Sequence, residues 1–220
     1  MRIVLMGPPG AGKGTQAKRL VDAFGMAHLS SGDIFRAERA SGSALGDRLA
    51  TYMDAGELVP DDVVVKVMAN AITRVEGAGL MLDGFPRTVP QAEALDAQLA
   101  EADKPLDAVV VIRVSDDEVV KRITGRRSCP RCGKAYHVTF IPPERDNLCD
   151  ECGVELTQRQ DDTDSVVRQR LAAYKEQTEP VIGYYRERDG IELLEIDGDQ
   201  APDDVTRDMV AALRALGGAE

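Results

Sequence analysis

The sequence predicts an α/β fold: a parallel five-stranded sheet wrapped by helices, with two segments inserted into that core. Three observations carry the prediction. Short apolar runs alternate with stretches of helical periodicity, the pattern of strand–helix–strand units that build a parallel sheet. A glycine-rich loop, residues 7–15, separates the first apolar run from the first helical stretch. All four cysteines fall between positions 129 and 152, in a stretch with little helical periodicity.

The elements follow in order. Residues 2–6 read as a buried strand. The helix after the loop carries Ala17, Leu20, Val21 and Phe24 on one face, the i, i+3, i+4, i+7 pattern, and Gly25 is its C-cap glycine. Residues 26–29 are a second strand. Residues 30–59 are polar, contain Gly32, Gly42, Gly46 and Gly56, and read as a small helical insertion. Pro60-Asp61-Asp62 opens a helix with Val64, Val67, Met68 and Ala71 on its apolar face. Leu80-Met81-Leu82 is a strand that ends at Asp83. Thr88 and Gln91 form a capping box for the next helix. Residues 109–112, all Val or Ile, are a central strand apolar on both faces. Ser115 and Glu118 form a second capping box, and the helix it opens is expected to present Arg122 and Arg126 on one face. Residues 126–163 form a separate small lobe. A long helix runs from about 164 to 188, and residues 191–196 are the fifth strand.

Composition narrows the function. The chain has 220 residues, 43% of them apolar, enough for one core domain with insertions. No run approaches the roughly 20 apolar residues of a membrane helix, and the first apolar run is too short for a signal peptide. A cytoplasmic location is expected. Lys and Arg number 27 against 38 Asp and Glu, a net charge of -11. Such a chain repels nucleic acid unless its cations are gathered in one place.

The loop Gly7-Pro8-Pro9-Gly10-Ala11-Gly12-Lys13-Gly14-Thr15 has the strand–helix frame that a phosphate-binding loop requires. Its glycines let backbone N–H groups turn inward around an anion, and the helix N-terminus adds partial positive charge. Lys13 brings a full charge to terminal phosphates, and the Thr15 hydroxyl suits metal-bound phosphate oxygens. The strict motif has Ser or Thr directly after the lysine; here Gly14 intervenes. Asp83, at a strand end, is where such enzymes place an aspartate beside Mg²⁺. Gly84-Phe85-Pro86-Arg87 follows it, with no glutamate to activate water, which favours transfer to a bound acceptor over hydrolysis. No Asn-Lys-x-Asp guanine-reading motif occurs.

The cysteines are paired as Cys129-x-x-Cys132 and Cys149-x-x-Cys152. Two such knuckles indicate a tetrahedral four-thiolate zinc site. Four thiolates leave no open position, so the zinc is expected to be structural, and His137 is not needed as a ligand. His28 reads as a core or strand-end histidine.

Taken together, Gly7-x-Pro9-Gly10-x-Gly12-Lys13-Gly14-Thr15, Ser31-Gly32-Asp33 with Arg36, and Asp83-Gly84-Phe85-Pro86-Arg87 resemble the adenylate kinase family, in which the glycine after the lysine is normal. The resemblance extends through Arg122 to Arg127, Tyr136-His137-Val138, Arg159-x-Asp161-Asp162, Arg168-x-Arg170 and Asp197-Gly198. It covers residues 1 to about 200 and looks like the long bacterial form with a zinc-binding lid. It implies a core domain of residues 1–29, 60–125 and 164–220, an AMP-binding lobe of residues 30–59 and a lid of residues 126–163. Gly10, Ala11, Gly12, Lys13, Gly14 and Thr15 would hold the ATP phosphates. Arg126, Ala135, Tyr136 and Gln200 would touch ATP. Ser31, Arg36, Glu57, Leu58, Val59, Gly84, Phe85, Pro86, Arg87 and Gln91 would bind AMP. Arg159 and Arg170 would bridge the phosphates of both nucleotides, with Arg122 facing the donor beside Lys13. Lys13, Asp83, Arg87, Arg122, Arg126, Arg159 and Arg170 would form the catalytic set, with Mg²⁺ carried by ATP.

Ser31 stands where many relatives have threonine, and Glu57 where lysine is frequent. The expected reaction is reversible transfer from MgATP to AMP, giving two ADP. A kinase for another nucleoside monophosphate is the nearest alternative. A zinc-ribbon, nucleic-acid-binding ATPase is a distant one, supported by the CxxC pairs with Arg126, Arg127 and Arg131 and opposed by the acidic balance. The partners expected are ATP, AMP and ADP, with neither nucleic acid nor membrane, and the chain is expected to be a monomer. Arg127 and Arg168 are expected in surface ion pairs only.

Overall fold

A computed structural model describes residues 1–75, 77 and 79–217. Five parallel strands lie in the order β2 (Ala27–Ser30), β3 (Leu80–Asp83), β1 (Arg2–Met6), β4 (Ala108–Arg113) and β7 (Glu192–Asp197). Because a strand's side chains alternate, each central strand supplies both faces of the sheet. Val4, Met6, Leu80, Leu82, Val109 and Val111 belong to one core. Ile3, Leu5, Met81, Val110 and Ile112 belong to the other.

The first face is covered by α4 (Asp61–Thr73), α5 (Val89–Glu101) and α8 (Glu179–Arg186), through Met68, Leu95, Val181 and Tyr185. The second is covered by α1 (Lys13–Phe24), through Ala17 and Leu20, and by α9 (Pro202–Gly217), through Val205, Met209 and Leu213. Sequence reading stopped short of α9, although its three buried residues recur every four positions and its first residue is a proline, both helix signals.

Residues 30–59 hold α2 (Ser31–Ala40) and α3 (Ala44–Ala55). Gly46 is required where they cross, because a Cβ there would lie 2.4 Å from the Glu38 carbonyl oxygen. Helix α6 (Asp116–Thr124) leads into the hairpin β5 (Arg126–Ser128) and β6 (Ala135–His137). The long helix expected after residue 164 is α7 (Asp164–Ala173), then a π-helical turn (Tyr174–Thr178), then α8. Pro180 explains the turn: it has no N–H for the carbonyl four residues back and its ring crowds that carbonyl, and one wider turn absorbs the mismatch.

Two local expectations fail. Helix α6 ends at Thr124, so Arg126 lies in β5 and shares no helix face with Arg122. Ser115 is the N-cap of α6 but makes no side-chain cap bond. Its backbone N–H instead donates to the Asp199 carboxylate at 3.2 Å, and Glu118 accepts from Arg122 Nε at 2.8 Å. A neighbouring loop supplies the cap that sequence assigned locally. Among the described residues no helix is long and apolar enough to cross a membrane.

Candidate active site

Parallel strands leave a crevice beyond their carboxyl ends. Here it is a cleft of about 940 Å³ lined by the loop after β1, the start of α2, the residues after β3, and Asp199 and Gln200 after β7.

The loop after β1 is held by close packing. A Cβ on Gly7 would lie 2.6 Å from the Ile112 carbonyl oxygen, and one on Gly10 2.7 Å from Ile123 Cγ1. Both also have positive φ, 146° and 76°, which side-chain-bearing residues avoid. Gly12 caps α1 at φ 90°, so the helix begins at Lys13 with its free N–H groups facing the cleft. Lys13 Nζ donates to the carbonyls of Gly7 (2.7 Å) and Pro8 (2.9 Å). Its pKa is lowered to about 8, chiefly by burial, with Asp83 opposing the shift and Arg87, Arg170 and Arg126 adding to it.

The end of β3 is tied to α2. Ser31 Oγ donates to the Gly84 carbonyl at 2.6 Å, and Arg87 Nε donates to the same oxygen at 2.7 Å. Gly84 has φ 73°, and a Cβ there would meet Ser31 Oγ at 2.9 Å. Asp83, 8% exposed, lies 3.5 Å from His28 Nε2, which places His28 at the cleft rather than only in the core. Thr88 Oγ1 caps the Gln91 N–H at 3.3 Å, as expected. The return bond is displaced by one residue: Gln91 Oε1 accepts from the Arg87 N–H at 2.8 Å.

Four arginines face this junction. Burial lowers Arg87 to about 10, and neighbouring Arg170 adds to the shift. Burial likewise lowers Arg159 to about 10, with Arg126 and Arg36 contributing. Arg170 is lowered chiefly by burial, although it pairs with Asp161 at 2.7 Å. Arg126 is held by Asp162, which is fully buried, through Nε at 2.8 Å and through Nη2. Buried cations gathered this closely suit an anionic ligand.

Residues 126–163 close one side of the cleft. Two matching knuckles hold the cysteines. Cys129 N–H donates to Lys134 O and Gly133 N–H to Cys129 O; Cys149 N–H donates to Val154 O and Gly153 N–H to Cys149 O. Gly133 and Gly153, each four residues after the first cysteine of its pair, have φ 70° and 65°. The four sulfurs lie within 4.8 Å of one another, with Cys132 and Cys149 Sγ 3.7 Å apart. Four Zn–S bonds of about 2.3 Å in a tetrahedron require sulfurs about 3.8 Å apart, so the donor set fits a tetrahedral metal. His137 takes no part. Its Nδ1 accepts from the N–H groups of Thr139 (3.0 Å) and Phe140 (3.1 Å), and its Nε2 lies 3.1 Å from Lys121 O. That ring packs onto Gly125, where a Cβ would lie 2.2 Å from Nε2, pinning the segment to the end of α6.

Nearly every residue singled out from sequence lines the cleft: residues 10–15 of the loop, Ser31, Arg36, Glu57, Leu58, Val59, Asp83, Gly84, Pro86, Arg87, Gln91, Arg122, Arg126, Ala135, Tyr136, Arg159, Arg170 and Gln200. Phe85 does not; it is 2% exposed and packs in the first core, so its contribution is to the wall behind the cleft. Arg168 pairs with Asp164 at 2.7 Å, as expected, whereas Arg127 donates to the carbonyls of Thr124 and Arg126 rather than to a carboxylate. Sequence reading gave no role to Asp61, which accepts from Thr88 and Gln91, or to Asp162.

A profile of the adenylate kinase family matches residues 5–190. Adenylate kinase of Archaeoglobus fulgidus is 48% identical over 98% of this chain and 99% of its own length. That of Methanosarcina acetivorans is 50% identical over 97% of this chain, and that of Desulfitobacterium hafniense 49% over 97%, each covering 98% of the relative. With the phosphate loop, the Asp83–Arg87 turn and the arginines on one cleft, these matches establish that the chain belongs to the adenylate kinase family.

Proposed function

We propose that this chain catalyses the reversible transfer of the terminal phosphoryl group of MgATP to AMP, giving two ADP. The observation that carries the reading is the convergence of Lys13, Arg87, Arg126, Arg159 and Arg170 on one cleft between the phosphate loop and α2. Two nucleotides bring their charges together only where fixed cations neutralise them, and phosphoryl transfer depends mainly on such positioning and charge neutralisation.

The donor lies on the loop side. Gly10 to Thr15 cradle its phosphates by backbone N–H groups and Lys13, while Arg126, the backbone of Ala135 and Tyr136, and Gln200 hold the rest of ATP. The acceptor lies on the α2–α3 side, with its phosphate on Arg36 and Arg87 and its base against the Glu57–Val59 backbone, Gly84 to Pro86 and Gln91. An AMP phosphate oxygen attacks the γ-phosphorus in line. The bond from that phosphorus to the β–γ bridging oxygen breaks, and ADP leaves. The attacking oxygen is already anionic, so no general base is required. Arg122, Arg159 and Arg170 hold the transferring group's oxygens bidentately. Asp83 and Thr15 would hold the Mg²⁺ carried by ATP, which would neutralise charge on the donor phosphates.

Residues 30–59 act as the AMP lobe and residues 126–163 as the lid on a core of residues 1–29, 60–125 and 164–220. Closure of both excludes water. Zinc on Cys129, Cys132, Cys149 and Cys152 serves structure, since four thiolates leave it no open site. The protein acts in the cytoplasm as a monomer. Initial rates with MgATP and, separately, AMP, UMP, CMP and GMP test the acceptor: AMP is expected to be the preferred substrate, and a preference for any other overturns the assignment.

A further inference from the structure

Gln91 is 1% exposed yet lines the cleft, and both ends of its amide are engaged from behind. Oε1 accepts from the Arg87 backbone N–H at 2.8 Å, and Nε2 donates to Asp61 Oδ1 at 2.7 Å. The other oxygen of Asp61 accepts from Thr88 Oγ1 at 3.0 Å. Arg87 N–H can only donate, and an ionised carboxylate can only accept. A flipped amide would set donor against donor and acceptor against acceptor, so the network permits one orientation. One acceptor position on Oε1 and one donor position on Nε2 are left for a ligand.

We propose that Asp61 is a specificity-determining positioning residue: by fixing the amide of Gln91 it makes the acceptor site select a 6-amino purine over a 6-oxo purine. The inference rests on the acceptor reading above. Adenine offers an N6–H donor beside the N1 acceptor. Hypoxanthine reverses both, with an O6 acceptor beside an N1–H donor. An amide locked in one orientation pairs with only one of these edges. An amide free to flip pairs with either, and the selectivity then falls. Asp61 touches no substrate. It sits at the start of α4, and through Thr88 and Gln91 it joins that helix to the first turn of α5.

The test compares kcat/KM for AMP and for inosine monophosphate, with MgATP as donor, in the wild type and in Asp61→Asn. Asparagine keeps the shape but can donate or accept, and so removes one of the two constraints on the amide, leaving only the Arg87 N–H to orient it. The AMP-to-inosine-monophosphate ratio is expected to fall at least about tenfold. The change should lie mainly in KM for the monophosphate, with KM for ATP unmoved. A loss of melting temperature with an unmoved ratio would mean that Asp61 only joins two helices, and the proposal falls. If the asparagine variant does not fold, Asp61→Ala, which leaves Gln91 Nε2 without its acceptor, is measured with the same two outcomes. A wild type that prefers inosine monophosphate overturns the acceptor assignment itself; a wild type that prefers AMP, with a ratio unmoved in the variants, overturns only the role of Asp61.

Discussion

Arg126 reaches from β5 to the carboxylate of Asp162, which has no exposed surface, and both Nε and Nη2 bind it. Asp162 also lies 3.9 Å from Arg170. One buried carboxylate therefore aims Arg126 and lies beside Arg170, and both cations line the cleft. Asp162→Asn keeps the shape and removes the charge. Breaking a buried pair by removing one partner costs about 3 kcal/mol or more, which for a chain of this size lowers the melting temperature by about 10 °C. Because Arg126 loses its aim, kcat should fall by about tenfold or more even where the variant is fully folded. Calorimetry and initial rates at low temperature separate the two effects.

Lys13 gives a pH signature. Its pKa in the ligand-free protein is lowered to about 8, first by burial and then by the surrounding arginines. ATP phosphates favour the charged ammonium and raise it. Between about pH 8 and the bound value the free protein has lost a proton that the complex holds, so binding takes one up. Apparent affinity for ATP should then fall as pH rises above 8, at most about tenfold per unit. Titration calorimetry at about pH 9 in buffers of different ionisation heat should show proton uptake; proton release would reverse the sign of this account.

Gly14 carries a trade-off. A Cβ there would meet nothing within 4 Å, and Gly14 is the second residue of α1. Protein packing does not require the glycine; in the functional reading, a phosphate fills that space. Gly14→Ala is expected to stabilise the protein by about 0.5–1 kcal/mol through helix propensity while raising KM for ATP. A variant more stable and equally active would remove the phosphate from that space.

The cysteine segment should depend on its metal. Cys149 is fully buried among Tyr136, Leu156 and Cys129 in a core too small to hold itself together. Cys149→Ser is expected to abolish bound zinc and to lower the melting temperature by about 10 °C, equivalent to several kcal/mol. Elemental analysis beside thermal melting checks both. A wild type that binds no zinc and a variant of unchanged melting temperature would leave the knuckles without their metal.

Much of this was legible in the sequence because the signals are local. The phosphate loop, the Cys-x-x-Cys pairs and the apolar strands each lie within about ten consecutive residues, and their geometry follows from residue type and spacing. What escaped depends on partners distant in the chain. Asp199 caps Ser115 from 84 residues away, and no window around Ser115 contains it. Asp162, quoted above only within a family motif, and Asp61, read only as opening a helix, take their roles when folding brings Arg126 and Gln91 to them. Phe85 lies in a cleft-lining motif, but beyond Gly84, whose φ is 73°, it is buried in the core on the first face of the sheet. The missed helix α9 is different, since its four-residue spacing was on the page of the sequence itself.

The central claim is direct transfer between two nucleotides. A rapid-quench experiment with ATP labelled in the γ-phosphoryl group and an equal concentration of AMP tests it most directly. The account predicts that the label appears in the first turnover as the β-phosphoryl group of ADP formed from AMP, with two ADP produced for each ATP consumed. Label appearing as inorganic phosphate at the same rate whether or not AMP is present would contradict it.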